Sequence, residues 1–261
     1  MTTATLDDWN PALYARYEDE RTRPAAELLA RVPLASPAQV VDLGCGPGNS
    51  TELLVARWPH ATVRGTDNSP AMLRAARERL SEVQFEESDI ATWRPARPVD
   101  VVYANAALQW VTGHGTLMPR LVEALVPGGV LAVQMPDNLD EPSHVAMRET
   151  AAEPRFAAHI GDANAVRERI LDAAGYYDLL CGSCQVDVWR TVYHHVMTDA
   201  AAIVEWVRAT GLKPFVEALP AADRQAFLAA YQARIERAYP ARADGKRLLA
   251  FPRLFIVARK R

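Results

Sequence analysis

The stretch QVVDLGCGPGNS, residues 39–50, decides how this chain must be read. Apolar residues run as a short buried strand into Asp42, and three glycines follow within five positions, Gly44, Gly46 and Gly48. A glycine-rich turn directly after a strand lets backbone come close to a ligand. Two familiar phosphate loops do not fit. No Lys-Ser or Lys-Thr pair follows Gly48, and Asn49 stands where the dinucleotide fingerprint places its last glycine. A plain tight turn between strand and helix is the competing explanation, so the surroundings must decide.

Working outward, STELLVARWP reads as a helix capped by Asn49 or Ser50, and ATVRGTD as the next strand. SPAMLRAARERL is a helix with Ser69 as N-cap and Pro70 at its first position. Upstream, residues 22–32, TRPAAELLARV, form an amphipathic helix with a proline near its start. VQFEESD, VDVVYANAA and GGVLAVQMP are strands, and LMPRLVEALV is a helix. Apolar strands alternating with helices predict an α/β fold, a doubly wound, mostly parallel, seven-stranded Rossmann-like sheet covered on both faces.

Past Pro136 the rhythm changes. NAVRERILDAAGYY, residues 164–177, is the clearest helix there, and QVDVWRTVYHHVM is a long strand. Two helices, AAIVEWVRATGL and ADRQAFLAAYQARIERAY, precede a closing strand, RLFIVARK. The expected organisation is a single domain, 1–261. It comprises an N-terminal lid segment at 1–34, a cofactor-binding core at 35–136, a helix-rich cap with a late strand at 137–251, and a final strand at 252–261. The last strands should join the sheet, and the helical cap inserted near the C-terminus should lie over its C-terminal edge.

The chain's 261 residues suffice for a substantial core, with 49% hydrophobic and 23% charged residues. A net charge of -3 speaks against nucleic acid as the main partner. The start, MTTATLDDWNPALY, lacks the apolar region of a signal peptide, and no apolar run reaches the roughly 18 residues of a membrane helix. Three cysteines point to a reducing, cytoplasmic setting rather than a disulfide framework.

The ligand follows from three acids. Asp67 ends the second strand, about twenty residues beyond the glycines, where a carboxylate accepts hydrogen bonds from ribose hydroxyls. Asp89 ends the third strand. A further acid there is poor company for a pyrophosphate, and suits a ligand carrying a ribose, an amine and an adenine amino group. Each aspartate alone reads equally well as a cap or a solvated turn; all three together, at consecutive strand ends, favour the ligand.

VVDLGCGPGNS, GTDNSPAML, SDIATW and ANAALQW resemble, in order and spacing, the four binding segments of the class I S-adenosylmethionine-dependent methyltransferases. The resemblance covers roughly residues 35–136. It implies that Asp42, Gly44 and Gly46 lie along the methionine end of S-adenosylmethionine, and that Asp67, with Asn68 beside it, takes the ribose. It also implies that Asp89 and Ile90 flank the adenine, and that the Asn105 backbone approaches the methionine ammonium group.

Methyl transfer from a sulfonium is an in-line displacement, for which a protein supplies proximity and alignment. The fourth strand ends in YANAALQW, without the Asn/Asp-Pro-Pro-Tyr segment suited to amino groups of nucleic acids. No Pro-Cys nucleophile of the cytosine-C5 type and no acidic cluster for a catalytic metal is evident, which leaves a small acceptor and no metal. DWNPALYARYEDERTRPAAELLARVP, LAVQMPDN, EPSHVAMRE, VDVWRTVYHHVM, WVRATGLKPF and LLAFPRLFIVARK further resemble a branch of the class that esterifies trans-aconitate, a small unsaturated tricarboxylate. That resemblance implies a carboxylate O-methyltransferase producing a monomethyl ester and S-adenosylhomocysteine. A carboxylate is already ionised at neutral pH, so no catalytic base is expected.

Candidates for holding the acid are Trp9 and Tyr17 with Tyr14 as a lid, Arg21 and Arg23, and the second face of QVDVWRTVYHHVM. Alternation there puts Val186, Val188, Val192 and Val196 on a core face, and Trp189, Thr191, Tyr193 and His195 on the face toward the acid. Arg208 and Lys213 complete the set. Packing of the N-terminal helix, a solvated arginine, a half-buried strand and a satisfied helix C-terminus are the respective alternatives. CGSC, residues 181–184, has no second cysteine pair, and His194 and His195 fall on opposite strand faces, so no metal or redox site is expected. Cys45 reads as a small residue in a tight turn. Rival functions are methylation of another small acceptor, a non-catalytic cofactor-binding module, or an NAD-dependent oxidoreductase. The glycine missing at Asn49 and the acid at Asp89 count against the last.

Overall fold

The computed structural model describes residues 18–261 apart from Ala209, with side chains from Thr22 onward. Its strands are β1 (Gln39–Leu43), β2 (Thr62–Asp67), β3 (Gln84–Glu87), β4 (Val99–Asn105), β5 (Leu125–Pro136), β6 (Cys184–Met197) and β7 (Arg247–Lys260). They form one sheet in the order β3-β2-β1-β4-β5-β7-β6, and the pairings from β3 through β5 are parallel. The strand order reverses between β1 and β4, and open α/β sheets bind ligands outside the carboxyl ends of strands at such a point. The late strands β6 and β7 do join the sheet. In β4, Val101, Val102, Tyr103 and Ala104 are buried in succession, as a strand covered on both faces requires.

The helices are α1 (Glu18–Ala30), α2 (Asn49–Arg57), α3 (Pro70–Arg79), α4 (His114–Glu123), α5 (Pro142–Ala151), α6 (Pro154–Ile160), α7 (Ala173–Leu180), α8 (Ala200–Arg208), α9 (Lys213–Glu217) and α10 (Ala221–Ala238). Two compact units result. Among the described residues, the first runs to Met135 and takes in Ile170–Arg190 and Leu254–Arg261, and its core unites sheet residues such as Leu43, Val102, Leu131 and Ile256 with Leu121 of α4 and Tyr176 of α7. The second comprises Pro136–Arg169 and Thr191–Arg253. There Phe156 meets Phe227 edge-on at 5.2 Å, Tyr231 Oη donates to the Ser143 carbonyl at 3.2 Å, and Tyr239 Oη accepts from Ser143 N at 3.0 Å.

Local chemistry explains both the agreements and the departures. Ser69 caps α3 as expected, its hydroxyl accepting from Met72 N at 3.2 Å with Pro70 following. Helix α2 is not capped by Asn49 or Ser50: Gly48, at φ 92°, occupies the cap position, because the Ser50 hydroxyl is committed to Asp42. Helix α1 begins at Glu18, so Pro24 lies inside it rather than near its start. Strand β7 starts at Arg247, earlier than the sequence pattern suggested.

The helix expected over residues 164–177 is confined to Ala173–Leu180. Asp172 starts it, accepting from Gly175 N at 2.8 Å. Before that point the side chains of Arg167 and Arg169 reach Asn138 and Asp140, and these distant partners outweigh the helical periodicity.

The valine face of β6 is core only in its first half. Val186 and Val188 pack on the cluster that holds Tyr176, Leu180 and Cys184. Val192 and Val196, on the same face, are 44% and 61% exposed, while Tyr193 and Met197 on the other face are each 5% exposed. The strand passes from the first unit to the second between Arg190 and Thr191, and the face covered by neighbours changes there.

Candidate active site

The first unit builds a site from the carboxyl ends of β1, β2 and β4. After β1, the amides of Gly44 and Cys45 both donate to the Thr66 carbonyl, at 2.7 and 2.9 Å, which stitches the glycine loop to β2. Gly44 sits at φ 68°, and a Cβ there would lie 2.4 Å from the Ala107 Cβ and 3.4 Å from Ile90 Cδ1. The loop therefore meets the turn after β4 and the segment after β3 at a point where only a hydrogen fits. Gly46 is also left-handed, at φ 54°, but a Cβ there would meet nothing within 4 Å. Open space beside a bare backbone is where a ligand can lie.

Asp67 is oriented by two amides. Gly46 N donates to its Oδ2 and Ser69 N to its Oδ1, each at 2.9 Å, so one carboxylate fixes both the glycine loop and the start of α3. Asn68 beside it is exposed. Asp89, also exposed, accepts from Ala91 N at 2.8 Å. Asp42 is fully buried, and its Oδ2 accepts from Ser50 Oγ and Thr51 Oγ1, both at 2.7 Å, while Oδ1 meets no donor among the described residues. Burial pushes its carboxyl up to about 6, the two hydroxyls pull it part of the way back, and the Asp67 charge adds to the rise.

The turn after β4 carries strain. Ala106 adopts φ 54°, an uncommon state for a residue with a Cβ. It is held by Ala106 N donating to the Gln134 carbonyl at 2.9 Å and by Gln109 Nε2 donating to the Ala106 carbonyl at 2.7 Å. Asn105 Oδ1 and Gln109 Oε1 are buried acceptors without a donor among the described residues, which suits a ligand that brings N–H groups. Below the turn, His114 Nε2 donates to the Leu108 carbonyl at 2.9 Å, leaving Nδ1 to accept from the Tyr176 hydroxyl at 2.5 Å.

Three of these supports escaped the reading of the sequence: Gln109, His114 and Arg120. The Arg120 guanidinium donates to the carbonyls of Ile90 (2.7 Å) and Ala91, clamping the segment that follows Asp89. No local pattern announces Arg120, which lies 30 residues from Ile90. Gln109, in contrast, stands three residues from Ala106 within the quoted ANAALQW.

Of the residues nominated to hold an acid, Trp9, Tyr14, Tyr17 and the Arg21 side chain lie outside the described residues. Arg23 is exposed and pairs with Glu27 at 2.8 Å; Arg208 is exposed and pairs with Glu205 at 3.1 Å. Lys213 pairs with Glu217 at 3.5 Å. In the second unit Tyr193 and His195 do come together, their rings stacked at 6.5 Å, and the His195 ring lies 4.4 Å from that of Trp206. Cys45, Cys181 and Cys184 are free thiols, and burial pushes the Cys45 thiol far up, which makes it a poor nucleophile.

Residues 40–129 match the model of a methyltransferase domain family. The chain is 65% identical over 256 residues to the trans-aconitate 2-methyltransferase of Variovorax paradoxus, covering 97% of this chain and 99% of that one. It is 64% identical over 258 residues to the enzyme of the same name in Paracidovorax citrulli, covering 98% and 99% of the two chains. The crystal structure of the YcgJ protein of Bacillus subtilis shares the fold with a TM-score of 0.60 at 15% identity, over 92% of this chain and 99% of that one.

Proposed function

The chain belongs to the family of trans-aconitate 2-methyltransferases, and on that premise we propose that it transfers a methyl group from S-adenosylmethionine to one carboxylate of trans-aconitate or a closely related small polycarboxylate. The products are a monomethyl ester and S-adenosylhomocysteine. The observation that carries this reading is near-full-length identity to enzymes of that name, joined to a strand-end site of matching chemistry.

When bound, the cofactor supplies an electrophilic methyl group on a sulfonium whose departure leaves a neutral thioether. The residues present fit it. Asp67, already oriented by two amides, would accept from the ribose hydroxyls with Asn68 beside it. Asp89 and Ile90, held by Arg120, would flank the adenine. Asp42, Gly44 and Gly46 would run along the methionine end, where Asn105 offers a buried acceptor toward the ammonium group.

The acid needs no general base, because its carboxylate is ionised at neutral pH. The protein's task is to exclude water and to hold the non-reacting carboxylates with cationic and hydroxyl donors while one oxygen lines up with the methyl group. The residues nominated to supply these groups are Tyr193, His195 and Arg208, with Trp9, Tyr17 and Arg23 of the N-terminal segment.

Mass spectrometry of reactions with S-adenosylmethionine and a panel including trans- and cis-aconitate tests the proposal. A monomethyl ester of trans-aconitate is expected. Its absence, with S-adenosylhomocysteine still bound, would defeat the substrate assignment alone. Asp67→Ala should weaken S-adenosylhomocysteine by about a hundredfold in calorimetry, from the loss of charge-assisted hydrogen bonds.

A further inference from the structure

Among the described residues, Ala106 alone adopts a left-handed backbone without being a glycine, at φ 54°. The Gln109 side chain bonds to its carbonyl, with Nε2 donating at 2.7 Å, in a residue that is only 5% exposed. A carbonyl only accepts, so the Gln109 amide must turn its nitrogen toward Ala106 and its oxygen elsewhere. That oxygen, Oε1, is buried and meets no donor among the described residues, and Asn105 Oδ1 is in the same state. A buried acceptor without a donor costs the folded chain its desolvation and marks a place where a ligand brings N–H or O–H groups.

The turn that carries Gln109 is braced on several sides. Leu108–Trp110 form one 3₁₀ turn, closed by Trp110 N donating to the Ala107 carbonyl at 3.2 Å and Val111 N to the Leu108 carbonyl at 2.9 Å. His114 Nε2 donates to that same Leu108 carbonyl. Ala107 lies so near Gly44 that a Cβ on the glycine would stand 2.4 Å from its own. The turn thus follows β4 and touches the glycine loop after β1, whereas Asp67 and Asp89 belong to the ends of β2 and β3, on the far side of β1.

The chemistry of the ligands decides which donor belongs here. Trans-aconitate, once ionised, carries acceptors only and has nothing to offer a carbonyl-type oxygen. The ribose hydroxyls and the adenine amino group fall to Asp67 and Asp89. The methionine end brings an ammonium group with three N–H donors, and it runs along the glycine loop. We propose that Gln109 is a cofactor-binding residue with two tasks: Nε2 holds Ala106 in its left-handed state, and Oε1 accepts from the methionine ammonium group beside Asn105. This inference rests on the S-adenosylmethionine reading above and is independent of which acid is methylated.

Calorimetry with two probes tests it: S-adenosylhomocysteine, and the analogue in which hydrogen replaces the amino group. Gln109→Met should weaken S-adenosylhomocysteine by about tenfold or more and the analogue by no more than about twofold. Ala106→Gly adopts the left-handed state without strain and provides a second background, which covers the case in which the single variant does not fold. There Gln109→Met should produce the same selective loss. Equal losses for the two probes in a folded Gln109 variant overturn the ammonium contact and leave the cofactor assignment intact. So does an affinity for S-adenosylhomocysteine that Ala106→Gly restores in full, since Gln109 would then only brace the turn. A wild-type protein that binds neither probe overturns the cofactor assignment as well.

Discussion

In the first unit the fold gathers carboxylates at strand ends and ties them down with backbone N–H groups, as Asp67 is tied by Gly46 and Ser69. In the second it gathers guanidinium groups and spends them on neighbouring acceptors. Arg167 donates to the Asn138 side chain at 2.9 Å, Arg148 to the Leu139 carbonyl at 2.8 Å, and Arg169 grips both oxygens of Asp140. Three consecutive residues beyond β5 are thereby pinned by three arginines from elsewhere in the chain. The difference is one of range: the carboxylates are fixed by residues within the strand-turn-helix units that carry them or the adjacent loop, whereas Arg167 and Arg169 reach partners 29 residues away and Arg148 one nine residues away.

The largest test of the first arrangement is Gly44→Ala. The new methyl would lie 2.4 Å from the Ala107 Cβ, an atom that cannot swing aside, at a backbone φ of 68° that disfavours any side chain. Overpacking and left-handed strain together predict a loss of about 3 kcal/mol, with weakened S-adenosylhomocysteine binding. Urea unfolding measures the first and calorimetry the second. A variant of wild-type stability would mean that the turn after β4 is not packed on the glycine loop.

This contrast also explains what the sequence disclosed. Ser69 and Pro70 announce α3 because a cap needs only three residues, and the glycine loop with Asp67 is legible because each lies directly at a strand end, whereas Asp89, expected to end the third strand, follows β3 by two residues. Arg120 under Ile90 and Arg253 beside Tyr193 were illegible, since sequence spacing says nothing of pairs made by the closing of the sheet. The expected helix over residues 164–177 failed for the same reason: its periodicity was real, but Arg167 and Arg169 had better partners in Asn138 and Asp140.

The two units should also respond to pH in opposite directions. Asp42 is raised from 3.8 to about 6, chiefly by burial, so the folded state binds its proton more tightly than the unfolded chain. Its contribution to stability is complete below pH 3.8 and is lost as the pH rises through 6. His144 in the second unit is lowered from 6.5 to about 3, first by burial and then by the charges of Arg167 and Arg148. Its contribution is complete above pH 6.5 and is lost as the pH falls toward 3. Between pH 4 and 7, the stability of Asp42→Asn relative to wild type should therefore rise by on the order of 3 kcal/mol. That of His144→Gln relative to wild type should fall over the same interval. Denaturant titrations at several pH values check both, and slopes of the same sign would break the contrast.

The smallest effect gives the sharpest comparison, because it lies within one strand. Alternation along β6 assigns residues to two faces but does not say which face is covered, and cover changes where the strand leaves the first unit. Val188 packs on the core of the first unit, so Val188→Thr buries a hydroxyl among apolar neighbours and should cost about 1 kcal/mol. Val196 stands on the same face at 61% exposure, so Val196→Thr exchanges one β-branched residue for another in contact with water. Its effect should stay within about 0.5 kcal/mol. Equal losses at the two sites, measured by urea unfolding, would mean that the valine face is covered along its whole length, as alternation alone suggested.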